Sequence, residues 1–175
     1  EVAEARALGI SPKAVLIGPL TYLYLGKEST PGFSRLDLLP RLLPVYREIL
    51  GQLASLGVEW VQIDEPLLAL DLEDEWLGGL DQAYVFLTES KLTKLLLTTY
   101  FEAVHNHATR LKALPVDGLH IDLCRAPDQL EIFLDNYPAE KVLSLGIVDG
   151  RNIWRSDLAR SLSTLSRVQA VLGER

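Results

Sequence analysis

The chain has 175 residues, 48% of them hydrophobic, with a formal net charge of −7 and a pI near 5.0. A chain of this size and positive mean hydropathy can bury a core, which excludes disorder, and its acidic balance, with 17 scattered Lys and Arg, argues against nucleic acid as a partner. Cys124 is the only cysteine, so no disulfide framework or thiolate cluster arises from this chain, and the apolar runs fall short of the ~18–20 residues of a membrane span, so the expected setting is cytoplasmic.

The start, Glu1 to Leu8, has an acidic helical pattern and not the basic, then apolar, character of a signal peptide. Ala14-Val15-Leu16-Ile17, closed by Gly18-Pro19, is a short β-branched run suited to a buried strand, with a loop expected after it. A helix is predicted over 36–56, with Leu42, Tyr46, Ile49, Leu53 and Leu56 on one face and Gly57 as its stop; Pro44 inside it implies either a later start or a kink. The second strand is Trp60 to Ile63, followed by a helix near 76–87 that Gly78-Gly79 interrupts.

The third strand covers 94–99, with a helix over 102–114 that Pro115 ends. The fourth covers 118–122, with a helix from Pro127 to about 136. The fifth covers 142–147, ends at Asp149-Gly150 and leads to a long helix over 153–172. Strands alternating with helices predict βαβ units and a parallel sheet in a single domain, 1–175. Five strands fit either a doubly wound sheet or part of an eight-stranded barrel.

Parallel α/β folds place chemistry at the carboxyl ends of strands, which singles out Asp64 and Glu65 before Pro66. Adjacent strand residues face opposite ways, so a turn at Pro66 is needed to bring both to the rim. Their two readings are binding of a polar substrate or capping and pairing within the fold. His120, Asp122 and Cys124 share one strand face, but three ligands strung along about 14 Å do not converge on one zinc, so a satisfied histidine and a core cysteine are expected. Asp149-Gly150 has the composition of a turn with a left-handed glycine, and Asn152 is positioned to cap the last helix. Nucleotide-binding and nucleophile-elbow signatures are absent.

Five blocks in order carry a family resemblance: Val15-Leu16-Ile17-Gly18-Pro19-Leu20-Thr21, Leu43-Pro44-Val45-Tyr46, Val61-Gln62-Ile63-Asp64-Glu65-Pro66, Leu97-Thr98-Thr99-Tyr100-Phe101 and Val148-Asp149-Gly150-Arg151-Asn152-Ile153-Trp154. The chain resembles the N-terminal domain of cobalamin-independent methionine synthase. That resemblance implies a (β/α)8 TIM-type barrel, incomplete here at about five βα units, within a larger two-barrel methyltransferase of methionine biosynthesis. It also implies that zinc and catalysis belong to the C-terminal barrel, which would be this chain's partner, with folate polyglutamate and homocysteine as substrates. No catalytic residue, metal ligand or cofactor is assigned to this chain.

By the same comparison Leu70 stands where the catalytic barrel has a folate-binding glutamate, and Leu97 to Tyr100 stand where it has a His-x-Cys zinc pair. Asp122 matches the place of a zinc-binding glutamate. The basic segment that engages the folate tail lies upstream of Glu1, which, with the absence of methionine, leads to the expectation of a piece of a longer protein. Asp64, Glu65, Asp122 and Asn152 remain the strand-end candidates for substrate binding. Two other functions stand beside this one: a stand-alone binding module that dimerises through its open strand edges, and a small doubly wound enzyme using Asp64, Asp122 and Asp149 with magnesium.

Overall fold

In chain order the elements are α1 (Val2–Ala7), β1 (Ala14–Ile17), α2 (Pro19–Leu25), α3 (Leu39–Ser55), β2 (Trp60–Asp64), α4 (Asp74–Thr88), β3 (Lys94–Thr98), α5 (Ala108–Ala113), β4 (Gly118–Asp122), α6 (Gln129–Leu134), β5 (Val142–Gly146) and α7 (Leu158–Leu172). Short 3₁₀ turns lie at Arg35–Leu38, Pro66–Ala69 and His105–His107. These come from a computed structural model, which describes residues 1–173.

All strand pairings are parallel, and the spatial order β1-β2-β3-β4-β5 is the chain order. A doubly wound sheet reverses direction at a switch point and carries helices on both faces. Here successive crossovers advance one way, and right-handed connections then place every helix on the same side. The strands show this division by their alternation: Val61, Ile63, Leu95, Leu97, Leu119, Ile121 and Leu143 belong to the buried core, and Ala14, Leu16 and Leu145 pack against it. The opposite parity carries Gln62, Asp64, Thr98, His120, Asp122 and Ser144. The fold is α/β, an arc of five strands from a (β/α) barrel, and its sheet order removes the doubly wound alternative.

Strand positions agree with the sequence to within a residue, while the helices depart from it for local reasons. α2 stands where the sequence predicts a loop; Pro19 at its start supplies the preset φ of a first helical turn. Pro44 is carried inside α3, near its beginning, where little of the hydrogen-bond ladder is at stake. The buried face of α3 is Leu39, Leu43, Tyr46, Leu50 and Leu53, while Leu56 is exposed. Gly57 ends the helix with φ 75°.

α4 tolerates Gly78-Gly79 because Gly79 serves packing: a Cβ there would stand 3.2–3.4 Å from Leu36, Leu20 and Leu39, so α4 lies close against α2 and α3. The helix predicted over 102–114 begins at Ala108, since Phe101 takes φ 87° and the N–H groups of Phe101 and Val104 are held by the side chains of Asp122 and Gln129. α6 begins at Gln129, two residues beyond Pro127. α7 begins at Leu158 and not 153, because Asp157 caps it by accepting from Arg160 N at 3.0 Å.

Two lysines close helix ends at the amino side of the sheet. Lys141, 5% exposed, donates to the carbonyls of Lys112 and Leu114 at the end of α5, and Lys112 donates to the carbonyls of Ile132 and Asp135 at the end of α6. Replacing Lys141 with Met removes both donors while keeping the stem. The expected loss of unfolding free energy is about 1–3 kcal/mol, read from the denaturation midpoint in urea.

Candidate functional site

The carboxyl edge of the sheet carries all the strand-end candidates, and the structure assigns them different surroundings. Glu65 follows the last residue of β2 and turns into the helix layer, where it is fully buried. Its carboxylate accepts from Leu20 N at 3.2 Å, Thr21 N at 2.8 Å, Thr21 Oγ1 at 2.6 Å and the Tyr84 hydroxyl at 3.3 Å. It therefore closes the first turn of α2 from inside the protein and leaves no surface for a solute. Burial outweighs these four donors and pushes its pKa up to about 7.

The space for that carboxylate exists because residue 18 is glycine: a Cβ at Gly18 would overlap the Glu65 carboxyl group. Gly18 N also donates to Asp64 O at 2.7 Å, which ties the end of β1 to the end of β2. Tyr46 completes the join by donating its hydroxyl to Ile17 O at 2.6 Å.

Asp64 faces the other way, onto the inner face, and is half-buried. Gln62 Nε2 donates to its Oδ1 at 2.8 Å and the Tyr100 hydroxyl to its Oδ2 at 3.2 Å, while Lys13 Nζ donates to Gln62 Oε1 at 2.7 Å. Burial and the Asp64 charge together push the Tyr100 phenol up to about 12, so it stays a donor at neutral pH. The sequence pairing of Asp64 with Glu65 thus divides in space: one carboxylate serves the inner face and the other the helix layer.

Asp122 is a loop organiser in this structure. Its Oδ2 accepts from Phe101 N at 3.1 Å, and its Oδ1 accepts from Cys124 N at 2.9 Å and Arg125 N at 3.0 Å. The first of these bonds holds Phe101 in its left-handed conformation, a strained one for a bulky residue. Phe101 packs edge-on to Tyr100 at 4.6 Å, with the Arg151 guanidinium 4.7 Å from its ring centre. Tyr100, His120, Asp122, Gly146, Asp149 and Arg151 line the cleft between these loops.

Asn152 does not cap α7; its Oδ1 accepts from Trp154 N at 2.9 Å within an exposed turn. Asp149 forms a similar turn with Arg151 N at 2.9 Å, and Gly150 is not among the glycines with positive φ. Cys124, expected in the core, is exposed, because β4 ends at Asp122 and the following turn leaves the sheet. His120 Nδ1 pairs with Ser144 Oγ at 2.8 Å, and burial pushes its imidazole below the usual range, which keeps it neutral at pH 7.

The inner face therefore joins Asp64, Tyr100 and His120 with Thr98, Gln62, Ser144 and Lys13, residues that motif spacing did not single out. The available signal was period-two alternation: continued along each strand, it puts Gln62, Asp64, Thr98, His120 and Ser144 on one face. Among the described residues there is no group of three or more His, Cys, Asp or Glu able to hold a metal ion. The donor types agree with that, since β3 ends in Thr98-Thr99-Tyr100 and both oxygens of Asp122 already accept backbone N–H groups. Zinc chemistry does not fit this set.

Sequence comparisons extend the reading beyond this chain. The profile of the family described as "Cobalamin-independent synthase, N-terminal domain" matches residues 1–173. A 5-methyltetrahydropteroyltriglutamate–homocysteine methyltransferase from Nitrosomonas europaea is 66% identical over 167 residues, covering 95% of this chain and 22% of the relative. Methyltransferases of the same name from Burkholderia thailandensis and Acidithiobacillus ferrooxidans are 57% and 51% identical, each over 100% of this chain and over 23% and 26% of their own lengths. The chain spans about a quarter of the length of these curated relatives. With a barrel arc of consecutive parallel strands and a family profile matched from residue 1 to 173, the chain belongs to the cobalamin-independent synthase N-terminal domain family.

Proposed function

We propose that this chain is part of the non-catalytic barrel of a cobalamin-independent methionine synthase, a cytoplasmic enzyme that moves a methyl group from 5-methyltetrahydropteroyltriglutamate to homocysteine. In this reading residues 1–175 form one unit of that barrel, support a second, zinc-bearing barrel of the same polypeptide and cover part of the folate cleft. The observation that carries it is the donor set at the carboxyl edge. Where the reaction needs a soft ligand to activate a thiol, this chain offers threonine, tyrosine and a carboxylate that holds loops together. Asp64 is the strand-end candidate best placed to meet a substrate, while Glu65, Asp122 and Asn152 act by fixing the backbone around it.

The test is direct. Purified chain given homocysteine and 5-methyltetrahydropteroyltriglutamate is expected to form no methionine, and mass spectrometry under native conditions to show no stoichiometric zinc. Methionine formation, or one zinc per chain, would overturn the reading.

Open strand edges favour a second behaviour for the isolated chain. The outer edges of β1 and β5 have no strand partner among the described residues, and Val15 and Ile17 on the inner face are 54% and 42% exposed. Self-association through these surfaces is the alternative role, and sedimentation of the isolated chain as a monomer at high concentration would count against it.

A further inference from the structure

The two edges of the sheet complement each other. All five strands are parallel and advance in chain order, so β1 lies at one side of the arc and β5 at the other. Backbone groups alternate sides along a strand. Gly18 N donates to Asp64 O, so Leu16 faces β2 while Val15 and Ile17 turn their N–H groups outward. At the other side Val142 N donates to Asp117 O and Gly146 O accepts from Leu123 N, so Leu143 and Leu145 turn theirs outward. Neither edge has a strand partner among the described residues.

Side chains follow the same division. One inner-face row runs from Val15 through Gln62, Leu96 and Gly118 to Val142, and the next from Ile17 through Asp64, Thr98 and His120 to Ser144. The middle of each row is buried or half-buried, whereas Val15, Ile17 and Val142 at the ends are 54%, 42% and 36% exposed. In the helix layer α7, which follows β5, exposes Leu158, Leu162 and Leu165 at spacings of four and three, an apolar stripe along one side. It carries Arg160 and Arg167 and no carboxylate, so a second α7 would meet it with like charge only. α3, the crossover from β1 to β2, exposes Arg41, Val45 and Glu48 at spacings of four and three, an apolar residue with both signs of charge.

An eight-stranded parallel barrel turns by about 45° per strand, so five strands make a little over half of one. A two-fold rotation about the barrel axis preserves strand direction and keeps every helix outside. We infer that two copies of the isolated chain close into one barrel about that axis, the β5 edge of each pairing in parallel with the β1 edge of its partner. Ten strands need about 36° each, a small relaxation of the arc. α7 of one copy then lies beside α3 of the other, as successive crossover helices do within the chain, and no strand edge is left open. The inference rests on the self-association reading and not on the proposed part in methyl transfer; it adds the partner's geometry.

Sedimentation equilibrium of the chain is expected to give about twice the 19.5 kDa of one copy, with no larger species as concentration rises, because closure uses up the edges. Val15→Lys and Val142→Glu, at exposed positions, each place a charge on one edge. Each is expected to keep the circular-dichroism spectrum of the unmodified chain and to weaken dimerisation by about 100-fold or more; Ile17→Lys repeats the test one row up. Mixed in equal amounts, the Val15→Lys and Val142→Glu chains are expected to form a 1:1 dimer at concentrations where neither associates alone. One β5–β1 junction of that pair is unaltered, and the other sets lysine against glutamate. A chain that stays monomeric would overturn self-association altogether. A dimer that survives Val142→Glu, open-ended growth, or no complex in the mixture would overturn the closed pair while leaving self-association in place.

Discussion

Replacing Glu65 with alanine is expected to remove about 3–5 kcal/mol of unfolding free energy, the largest loss from any single side-chain truncation at the carboxyl edge. The substitution leaves the N–H groups of Leu20 and Thr21 and the hydroxyls of Thr21 and Tyr84 without the acceptor they share, in a place with no solvent access. It also opens a void between α2 and α4. Denaturant unfolding monitored by circular dichroism measures the loss. A change under 1 kcal/mol would show that the carboxylate is not what holds α2 on the sheet.

The pH dependence of the same residue has a defined sign. The folded-state pKa of Glu65 is about 7, above the ordinary 4.5, so the folded chain binds more protons than the unfolded chain between those values. Its contribution to stability is therefore fully present below about pH 4.5 and is lost as pH rises through about 7, with a slope of at most ~1.4 kcal/mol per pH unit. Glu65→Gln, which retains the shape and cannot ionise, is expected to flatten stability across that window when compared with the unmodified chain. An identical slope in both proteins would assign the titration to other groups.

Gly18→Ala is the second large effect, expected at about 3 kcal/mol or more. Overpacking costs most where neither partner can yield. A methyl at residue 18 would meet the Glu65 carboxyl group, which four hydrogen bonds hold in place, while the Gly18 backbone is tied to Asp64 O at 2.7 Å. Since both substitutions act on one volume, Gly18→Ala combined with Glu65→Ala is expected to cost less than the sum of the two singles. Strict additivity in a double-mutant cycle would mean that the two residues do not share that space.

The strands were legible from the chain because their cause is local. Each is a short run with an apolar core, all but β3 bounded by Gly, Pro or Asp, and buried strand residues need no long-range information to be recognised. Helix starts were less legible, since they depend on which side chain reaches the first free N–H groups. Asp157, not Asn152, caps α7, and Asp122, the last residue of β4, holds Phe101, so that the helix after β3 begins late. Sheet order lay outside local reach as well: five βα units are compatible with a reversal or with a steady advance, and only the pairing of β1 with β2 and onward to β5 decided it.

For the site, sequence alone determined which residue types stand at the strand ends and, through five ordered blocks, which family the chain resembles. It also determined that the motif positions lack soft metal ligands. Tertiary structure decided what each carboxylate does. Asp64 and Glu65 are neighbours in the chain, yet strand alternation sends one to the inner face and the other into the helix layer, where burial raises its pKa against the hydrogen bonds of Leu20, Thr21 and Tyr84, residues 19 to 45 positions away. The row of Asp64, Thr98, His120 and Ser144 exists only through register between strands, because hydrogen bonding across a sheet aligns residues that sequence separates.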